Sequence, residues 1–238
     1  MSNNLQSAAL VLSVLNYFTL QKTRWGVREL AREIGRSPSV VQRALTLLEA
    51  EGYLYQEEVG RTYQLGFRCI ELGHLANETR QFSQIAAQCL KPLVEQSGET
   101  VFIYRRREDI SVCSYIQESS QHIRFTTTVG ESLFLHQAPF TQVTLAFMKP
   151  EERLDYLSRH QLQADAALLE TLELFAQQGY ASSHEAWQPH TQGLSVPLFN
   201  VQKEVAGSLC IAASTLRDDL IVYKPLLIQA AVKLSSVL

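Results

Sequence analysis

The segment from Ser37 to Gly52 restricts the fold of this 238-residue chain more than any other segment. Ser37 followed by Pro38 predicts a helix start, because serine oxygens cap free amides and proline favours the first helical position. Gly52 predicts the helix end, because glycine readily adopts the left-handed conformation. Apolar residues between them recur at i, i+3, i+4 and i+7, on one face: Val41, Ala44, Leu45 and Leu48. The pattern predicts an amphipathic helix that packs on a core.

The opposite face of this predicted helix is polar. It carries short hydroxyls, one amide and one guanidinium. Side chains of these types bind base edges and phosphates of DNA. We therefore interpret the segment as a recognition helix, with major-groove contacts from Ser37, Ser39, Gln42, Arg43 and Thr46.

Two flanking segments extend this pattern. Val27 to Ile34 predicts a shorter amphipathic helix that ends at Gly35, and two helices joined by a few residues with a glycine are typical of a helix-turn-helix. Residues 53–55 and 62–65 predict two short strands, with a wing between them. An αα-hairpin that only builds a core is the alternative, but it needs neither a capped polar helix nor a wing.

The charge distribution permits DNA binding without demanding it. The net charge is −3, whereas residues 1–68 contain 8 Lys and Arg against 6 Asp and Glu. DNA affinity needs a local positive face rather than a basic protein. Arg28, on the first motif helix, and Arg61, in the wing, are the predicted phosphate contacts.

A strongly apolar segment from Leu5 to Leu20 predicts a further helix. Hydrophobic residues occupy so much of its circumference that one partner helix cannot cover them. We expect this helix to pack on the helix-turn-helix and on a second copy of itself.

Beyond about residue 100 the hydrophobic period changes from helical to strand-like. Strands are predicted at 100–104, 110–116, 122–128, 194–199 and 205–213, and helices at 81–96, 137–147, 150–159, 164–178 and 223–238. The arginines at 105–107 are expected in a solvated hairpin turn. Because no βαβ unit repeats, the pattern predicts an α+β fold with a mainly antiparallel sheet covered by helices.

The sequence lacks the motifs that define several classes of enzyme. No GxSxG, HExxH, Walker A or GxGxxG arrangement occurs, so we expect no catalytic residues and no enzyme. The alternative class is an enzyme that transforms small molecules and has an accessory helical domain. No apolar run approaches the roughly 20 residues that span a bilayer, and no signal peptide is visible, so a soluble, cytoplasmic protein without a membrane partner is expected.

Cysteines and histidines give no evidence of a metal site. Four widely spaced cysteines without a CxxC pair are expected to be reduced. The most metal-like cluster is His184, Glu185 and His190, but exposed loop histidines are commoner, so no metal and no cofactor are expected. His136 is predicted at the end of a strand, tied to the backbone or to a pocket wall. Trp187 is either a flexible lid over a pocket or a loop anchor.

Gly35 to Leu45 resembles the recognition-helix segment of the IclR family of bacterial transcription regulators. Tyr63 to Gly66, followed by Glu71 to Gly73, resembles the family's wing and linker signature. Four later segments resemble its effector-domain landmarks in the same order: 97–101, 133–136, 178–180 and 195–198.

This resemblance implies three parts: an all-α winged helix-turn-helix DNA-binding domain at 1–65, a linker helix at 66–80 and a GAF-like α+β effector-binding domain at 81–238. It implies double-stranded operator DNA and a small-molecule effector as partners, and assembly as a homodimer or a dimer of dimers. The expected pocket residues are Phe102, Tyr115, Leu135, Phe140, Ser183, Cys210 and Ala212.

The expected pocket departs from the family where small carboxylates are bound. The residues at those positions are Pro139, Phe140, Ser183, Gly193, Cys210 and Ala212, and few of them carry a strong hydrogen-bond donor. A buried anion without partners is costly. Either a degenerate site or a bulkier effector, an aromatic or medium-size organic acid, is therefore predicted in place of a small polar acid.

Overall fold

A computed structural model describes residues 3–19, 22–78, 81–121 and 125–238. The chain divides into two compact units, Met1–Arg80 and Gln81–Leu238.

The first unit contains helices and one small antiparallel sheet. In chain order it has α1 (Asn3–Leu15), α2 (Val27–Ile34), α3 (Pro38–Ala50), β1 (Leu54–Gln56), β2 (Tyr63–Leu65) and α4 (Phe67–Glu78). Leu54 of β1 pairs with Leu65 of β2, and Trp25 forms an isolated bridge with Tyr63 of β2. The helix-turn-helix and the wing are therefore both present, so this unit is not purely helical.

A single hydrophobic cluster fills the first unit. It buries the predicted apolar face of α3 together with residues of α2 and the wing: Leu30, Val41, Ala44, Leu45, Leu48, Leu54 and Tyr63. Gly35 and Gly52 end α2 and α3 with φ angles of 68° and 75°, as predicted. Ser37 is the N-cap residue and Pro38 begins α3, as predicted, but the Ser37 hydroxyl makes no cap hydrogen bond and lies 3.2 Å from the Ser39 hydroxyl.

Helix α1 is shorter than predicted, because it ends at Leu15 rather than Leu20. The following residues form a turn, and the carbonyl of Tyr17 accepts a hydrogen bond from the Trp25 indole at 2.7 Å. Val14 is fully buried against the helix-turn-helix, whereas Leu12 is 66% exposed. The packing of α1 on the motif is confirmed, and part of its apolar surface is uncovered in the single chain.

The second unit is α+β, as predicted. In chain order it has α5 (Gln81–Ser97), β3 (Thr100–Arg107), β4 (Ile110–Gln117), β5 (Ser132–Phe134), α6 (Pro139–Ala146), α7 (Pro150–Arg159), α8 (Ala166–Gln178), β6 (Ala181–His184), β7 (Thr191–Phe199), β8 (Val205–Ser214) and α9 (Lys224–Leu234). Six antiparallel strands form one sheet in the order β5-β4-β3-β8-β7-β6.

The sheet has two faces with different partners. One face packs on α5 and α9, in a cluster that includes Leu90, Leu93, Val101, Ile103, Val196, Leu209, Ile211, Leu227 and Leu234. The other face carries Phe102, Tyr104, Cys113, Cys210 and Ala212, which pack with Phe125, Leu133 and Ala138. A third cluster, formed mainly by α6, α7 and α8, includes Val143, Leu145, Tyr156, Leu157, Leu172 and Phe175.

Three local predictions are corrected. The arginines at 105–107 lie in β3, and the turn consists of the residues that follow, because Arg105 still pairs with Val112 and Gly207. Residues 125–128 are not a strand, and residues 122–124 lie outside the described residues. His184 ends β6, an edge strand that sequence reasoning missed.

One helical stretch, Leu220–Val237, is long and apolar enough to cross a membrane by length and composition. The expectation that no apolar run approaches this length is corrected here. Leu227, Ala230 and Leu234 of this stretch are buried in the cluster beneath the sheet. In this fold, α9 packs one face on the sheet of the second unit and leaves other apolar residues, such as Val232, exposed.

Candidate DNA-binding surface and small-molecule cavity

The polar face of α3 is open in the first unit. Ser37, Ser39, Arg43 and Thr46 are exposed. Arg43 makes no ion pair within the described part of the chain. Its guanidinium is therefore available for a bidentate contact, the commonest way in which arginine reads guanine.

Gln42 differs from the other predicted contacts, because it is half-buried. Its Nε2 donates to the Tyr63 hydroxyl at 2.9 Å and to the Thr46 hydroxyl at 3.2 Å. Tyr63 belongs to β2 and is 1% exposed. Gln42 thus connects α3 to β2, a contact that the sequence did not reveal.

A groove of about 910 Å³ lies between α2, the start of α3 and the wing. Both predicted phosphate contacts, Arg28 and Arg61, line it. Arg32, which the sequence analysis did not select, lines it one helical turn after Arg28. The i, i+4 spacing was the available signal, because it places both arginines on one side of α2. Three arginines along one groove suit the negatively charged backbone of DNA.

A cavity lies on one face of the sheet in the second unit. Five of the seven predicted pocket residues line it: Phe102, Phe140, Ser183, Cys210 and Ala212. Strand register brings them together: Ser183 pairs with Gly193, Gly193 pairs with Ala212, and Cys210 pairs with both Ser195 and Phe102. Ser183, Gly193 and Ala212 thus form one row across the strands, and Ser195, Cys210 and Phe102 form a second row. The two rows form the floor of the cavity.

The other two predicted residues do not reach the cavity. A bulge in the β3–β4 pairing places Tyr115 opposite Ile103, while Cys113 lies opposite Tyr104. Tyr115 therefore packs on the face that contacts α5 and α9. Leu135 is fully buried among the helices of the third cluster. Neither residue lines this cavity, because the bulge breaks the strand alternation at Tyr115 and because Leu135 follows β5 rather than lying in it.

Several lining residues were not among the seven predicted pocket residues, although Trp187 was considered as a lid and Gly193 as a pocket position. Phe125 and Trp187 add two aromatic rings, and Thr191, Gly193 and Ser195 add a small polar side. Ser195 is 3% exposed, so its hydroxyl is a buried polar group beside the cavity. The pattern Gly193-Leu194-Ser195, with small residues alternating along β7, was the available signal.

Aromatic rings fill most of this cavity. Phe102 stacks on Phe125 with ring centroids 5.3 Å apart, and Phe140 meets Phe102 edge-on at 5.6 Å. Trp187 meets Phe140 edge-on at 5.8 Å. About 20 Å³ remains free, which is room for one water molecule.

The cavity walls contribute no ionised thiol or phenol at neutral pH. Burial raises the pKa of the Cys210 thiol far above its ordinary value. Burial also raises the pKa of the neighbouring Cys113 to about 12 and keeps the Tyr104 hydroxyl protonated by raising its pKa. Tyr104 hydrogen-bonds to Thr127 and Glu131, each at 3.1 Å.

His136 belongs to a different part of the unit. Its Nδ1 lies 2.6 Å from the Tyr156 hydroxyl, and it lines a separate cleft of about 280 Å³ beside α8. Burial, and then the nearby His160, lowers the pKa of His136. The imidazole of His136 thus hydrogen-bonds to a side chain of α7 rather than to the backbone. The described residues contain no group of three or more potential metal ligands.

Family models match both units of the chain. The model described as the IclR helix-turn-helix domain matches residues 7–58, and the model described as the bacterial transcriptional regulator IclR C-terminal matches residues 75–236. Together the two matches cover most of the chain, which therefore belongs to the IclR family of bacterial transcriptional regulators.

Curated relatives with 25% to 27% sequence identity are named HTH-type transcriptional regulators. The chain is 25% identical to the HTH-type transcriptional regulator KipR of Bacillus subtilis, over 89% of this chain and 87% of that protein. It is 27% identical to the regulator KdgR of Dickeya chrysanthemi, over 87% of this chain and 72% of that protein. It is 26% identical to the regulator XynR of Escherichia coli, over 90% of this chain and 88% of that protein.

Solved structures share the fold along nearly the whole chain. An IclR family transcriptional regulator from Brucella abortus has a TM-score of 0.82 at 22% identity, covering 98% of this chain and 92% of its own. An IclR homolog from Microbacterium hydrocarbonoxydans, solved in complex with 4-hydroxybenzoate, has a TM-score of 0.71 at 19% identity, covering 96% and 97%.

Proposed function

We propose that this protein is a regulator whose first unit binds operator DNA and whose second unit binds an aromatic acid as effector. The observation that carries the DNA-binding part is the open polar face of α3 beside the arginine groove. Base-specific contacts would come from Ser37, Ser39, Arg43 and Thr46, with Gln42 held against Tyr63. Phosphate contacts would come from Arg28, Arg32 and Arg61. Such a regulator acts in the bacterial cytoplasm, where the DNA is, and needs no catalytic group.

A homodimer is the proposed assembly. Leu12 on α1 is 66% exposed, and Phe67 and Ile70 on α4 are 82% and 67% exposed. Exposed apolar side chains grouped on helices commonly mark interfaces. Two recognition helices related by a two-fold axis read two half-sites, which a single winged helix cannot do.

Leu12→Glu is expected to weaken both dimerisation and operator binding. A carboxylate placed in an apolar helix contact is left unpaired, and this cost opposes association. Sedimentation equilibrium measures the dimer, and fluorescence anisotropy measures operator affinity. The matched control is Leu154→Glu, at a 63% exposed leucine on α7. A Leu12→Glu protein that remains dimeric and binds like the control would contradict this role for α1.

The effector class follows from the cavity lining. Aromatic walls and a small polar side formed by Ser183, Thr191 and Ser195 suit a ring with one polar end. The complex of the Microbacterium homolog with 4-hydroxybenzoate supports this class. Thermal melts with a panel of aromatic and aliphatic acids test it, because a ligand at 100 times its Kd adds about 2.7 kcal/mol to stability. Stabilisation by pyruvate or glyoxylate, and not by any aromatic acid, would refute the proposed class.

Gly193→Val is expected to abolish stabilisation by aromatic acids while operator binding is retained. Even a Cβ at Gly193 would lie 3.2 Å from the Ser183 hydroxyl, so the larger side chain occupies the floor of the cavity. Ser182→Val is the matched control, because Ser182 is exposed in the same strand as Ser183. Thermal melts with 4-hydroxybenzoate measure the effect. An unchanged ligand-induced shift in Gly193→Val would show that the ligand binds elsewhere.

A further inference from the structure

We propose that Trp187 plugs the effector cavity in the free protein, and that an aromatic effector binds by displacing its indole ring. This inference rests on the proposed binding of an aromatic acid in the second unit. It adds a gate to that site and names the side chain that moves.

The free volume of the cavity is too small for an aromatic ring. Pockets for small molecules typically have about 300–1,000 Å³, whereas this cavity leaves about 20 Å³ free. A single aromatic ring therefore cannot enter unless part of the lining moves. The indole ring of Trp187 is similar in size to a benzoate, so its departure would enlarge the cavity on the side where the ring now lies.

The aromatic residues of the cavity lining differ in how firmly they are held. Phe102 lies on a central strand and is 1% exposed. Phe140 lies near the start of α6, where its carbonyl accepts a hydrogen bond from the buried Ser208 hydroxyl at 2.5 Å. Trp187 lies in neither a helix nor a strand, and it is only half-buried. Trp187 is therefore less firmly held than either phenylalanine.

The indole of Trp187 makes few contacts that would hold it in place. Its only recorded ring contact among the described residues is the edge-on contact with Phe140, and its N–H donates to none of them. By contrast, Trp25 is 5% exposed and its N–H donates to the Tyr17 carbonyl. Buried tryptophan N–H groups usually have a partner. Trp187 can leave its site without breaking a hydrogen bond of its side chain.

The loop that carries Trp187 is fixed at its base. The Glu185 N–H donates to the Thr191 carbonyl at 2.7 Å, and the His190 N–H donates to the Glu185 carboxylate at 3.1 Å. The Thr191 hydroxyl donates to the Gln188 carbonyl at 2.6 Å. These bonds close the loop around Trp187, so its side chain can swing out while the loop ends and strands β6 and β7 keep their places.

A plug has a measurable thermodynamic consequence. If the site accepts ligand only when the indole is out, the apparent Kd equals the intrinsic Kd divided by the fraction of molecules in the open state. Removing the plug makes nearly every molecule competent. A tryptophan that merely lines the bound ligand would have the opposite effect, because its removal would eliminate favourable contacts.

The test is calorimetric titration of 4-hydroxybenzoate into wild type, Trp187→Ala and Gln188→Ala. We expect Trp187→Ala to bind about tenfold more tightly or better, in proportion to the open fraction of wild type. Gln188→Ala, which changes an exposed neighbour in the same loop, should bind as wild type. An unchanged or weaker affinity of Trp187→Ala overturns the plug and leaves effector binding intact. No binding by either wild type or Trp187→Ala overturns the plug and the proposed effector together.

Fluorescence quenching provides a second readout in the wild-type protein. Trp25 and Trp187 are the two tryptophans of the chain. Displacement predicts that saturating 4-hydroxybenzoate increases quenching by acrylamide, and that this increase is absent in Trp187→Phe. Decreased quenching on ligand binding would mean that the ligand buries the indole further, which contradicts the plug.

Discussion

Arg43→Ala is expected to abolish specific operator binding while the melting temperature stays within about a degree of wild type. Arg43 is exposed on α3 and has no ion pair within the described residues, so the fold does not depend on its charge. A bidentate arginine contact with a base carries about 1–3 kcal/mol, and a dimer loses it in both half-sites. Fluorescence anisotropy with operator and with unrelated DNA, at one fixed salt concentration, measures the difference.

Arg43→Lys is the matched variant for this prediction. Lysine retains the positive charge but not the planar fork that binds two acceptors at once. We expect it to keep non-specific DNA affinity and the salt dependence of binding, and to lose most of the preference for operator. Specific binding by Arg43→Ala at wild-type strength would remove Arg43 from the proposed interface.

Gly66→Ala is expected to unfold the first unit or to destabilise it severely. A Cβ at Gly66 would lie 2.3 Å from the Gly52 carbonyl oxygen, and the contact is with backbone rather than with a side chain that can rotate. Gly66 also donates its N–H to the Tyr53 carbonyl at 2.7 Å, which connects the end of the wing to the end of α3. Overpacking typically costs about 1–3 kcal/mol and occasionally more. Circular dichroism melts and operator binding measure the loss.

Gly73→Ala is the matched control on α4. No heavy atom lies within 4 Å of a Cβ built at Gly73. Alanine should therefore stabilise this helix by about 0.5–1 kcal/mol, because it loses less conformational entropy than glycine. A Gly66→Ala protein that melts and binds DNA like Gly73→Ala would contradict the close approach at Gly66.

The first unit could be predicted from sequence because its signals are local. The period of Val41, Ala44, Leu45 and Leu48 fixes which face of α3 is buried, so the opposite face had to be open. The contact of Gln42 with the wing could not be predicted, because it forms only in the tertiary structure. The hydrogen bond between Gln42 and Tyr63 joins residues 21 positions apart, and no local pattern encodes it.

The cavity was less predictable because it depends on long-range register. Phe102, Cys210 and Ala212 come together through antiparallel pairing of β3 with β8, which the resemblance captured and local periodicity did not. One bulge was enough to turn Tyr115 to the other face. Trp187 reaches the cavity from a loop, where no periodic rule fixes the direction of a side chain.

In the proposed regulator, effector binding in the second unit is coupled to sequence-specific DNA binding by the first. If the effector changes the affinity of the protein for operator by some factor, operator must change the affinity of the protein for the effector by the same factor. The most direct measurement is an anisotropy titration of labelled DNA from beside the protein's own gene, in excess unlabelled non-specific DNA, with and without saturating 4-hydroxybenzoate. We predict that the protein still binds operator in the presence of the competitor. We also predict that the ligand changes the affinity of the protein for operator. Binding that the competitor removes completely, with or without ligand, would contradict the account.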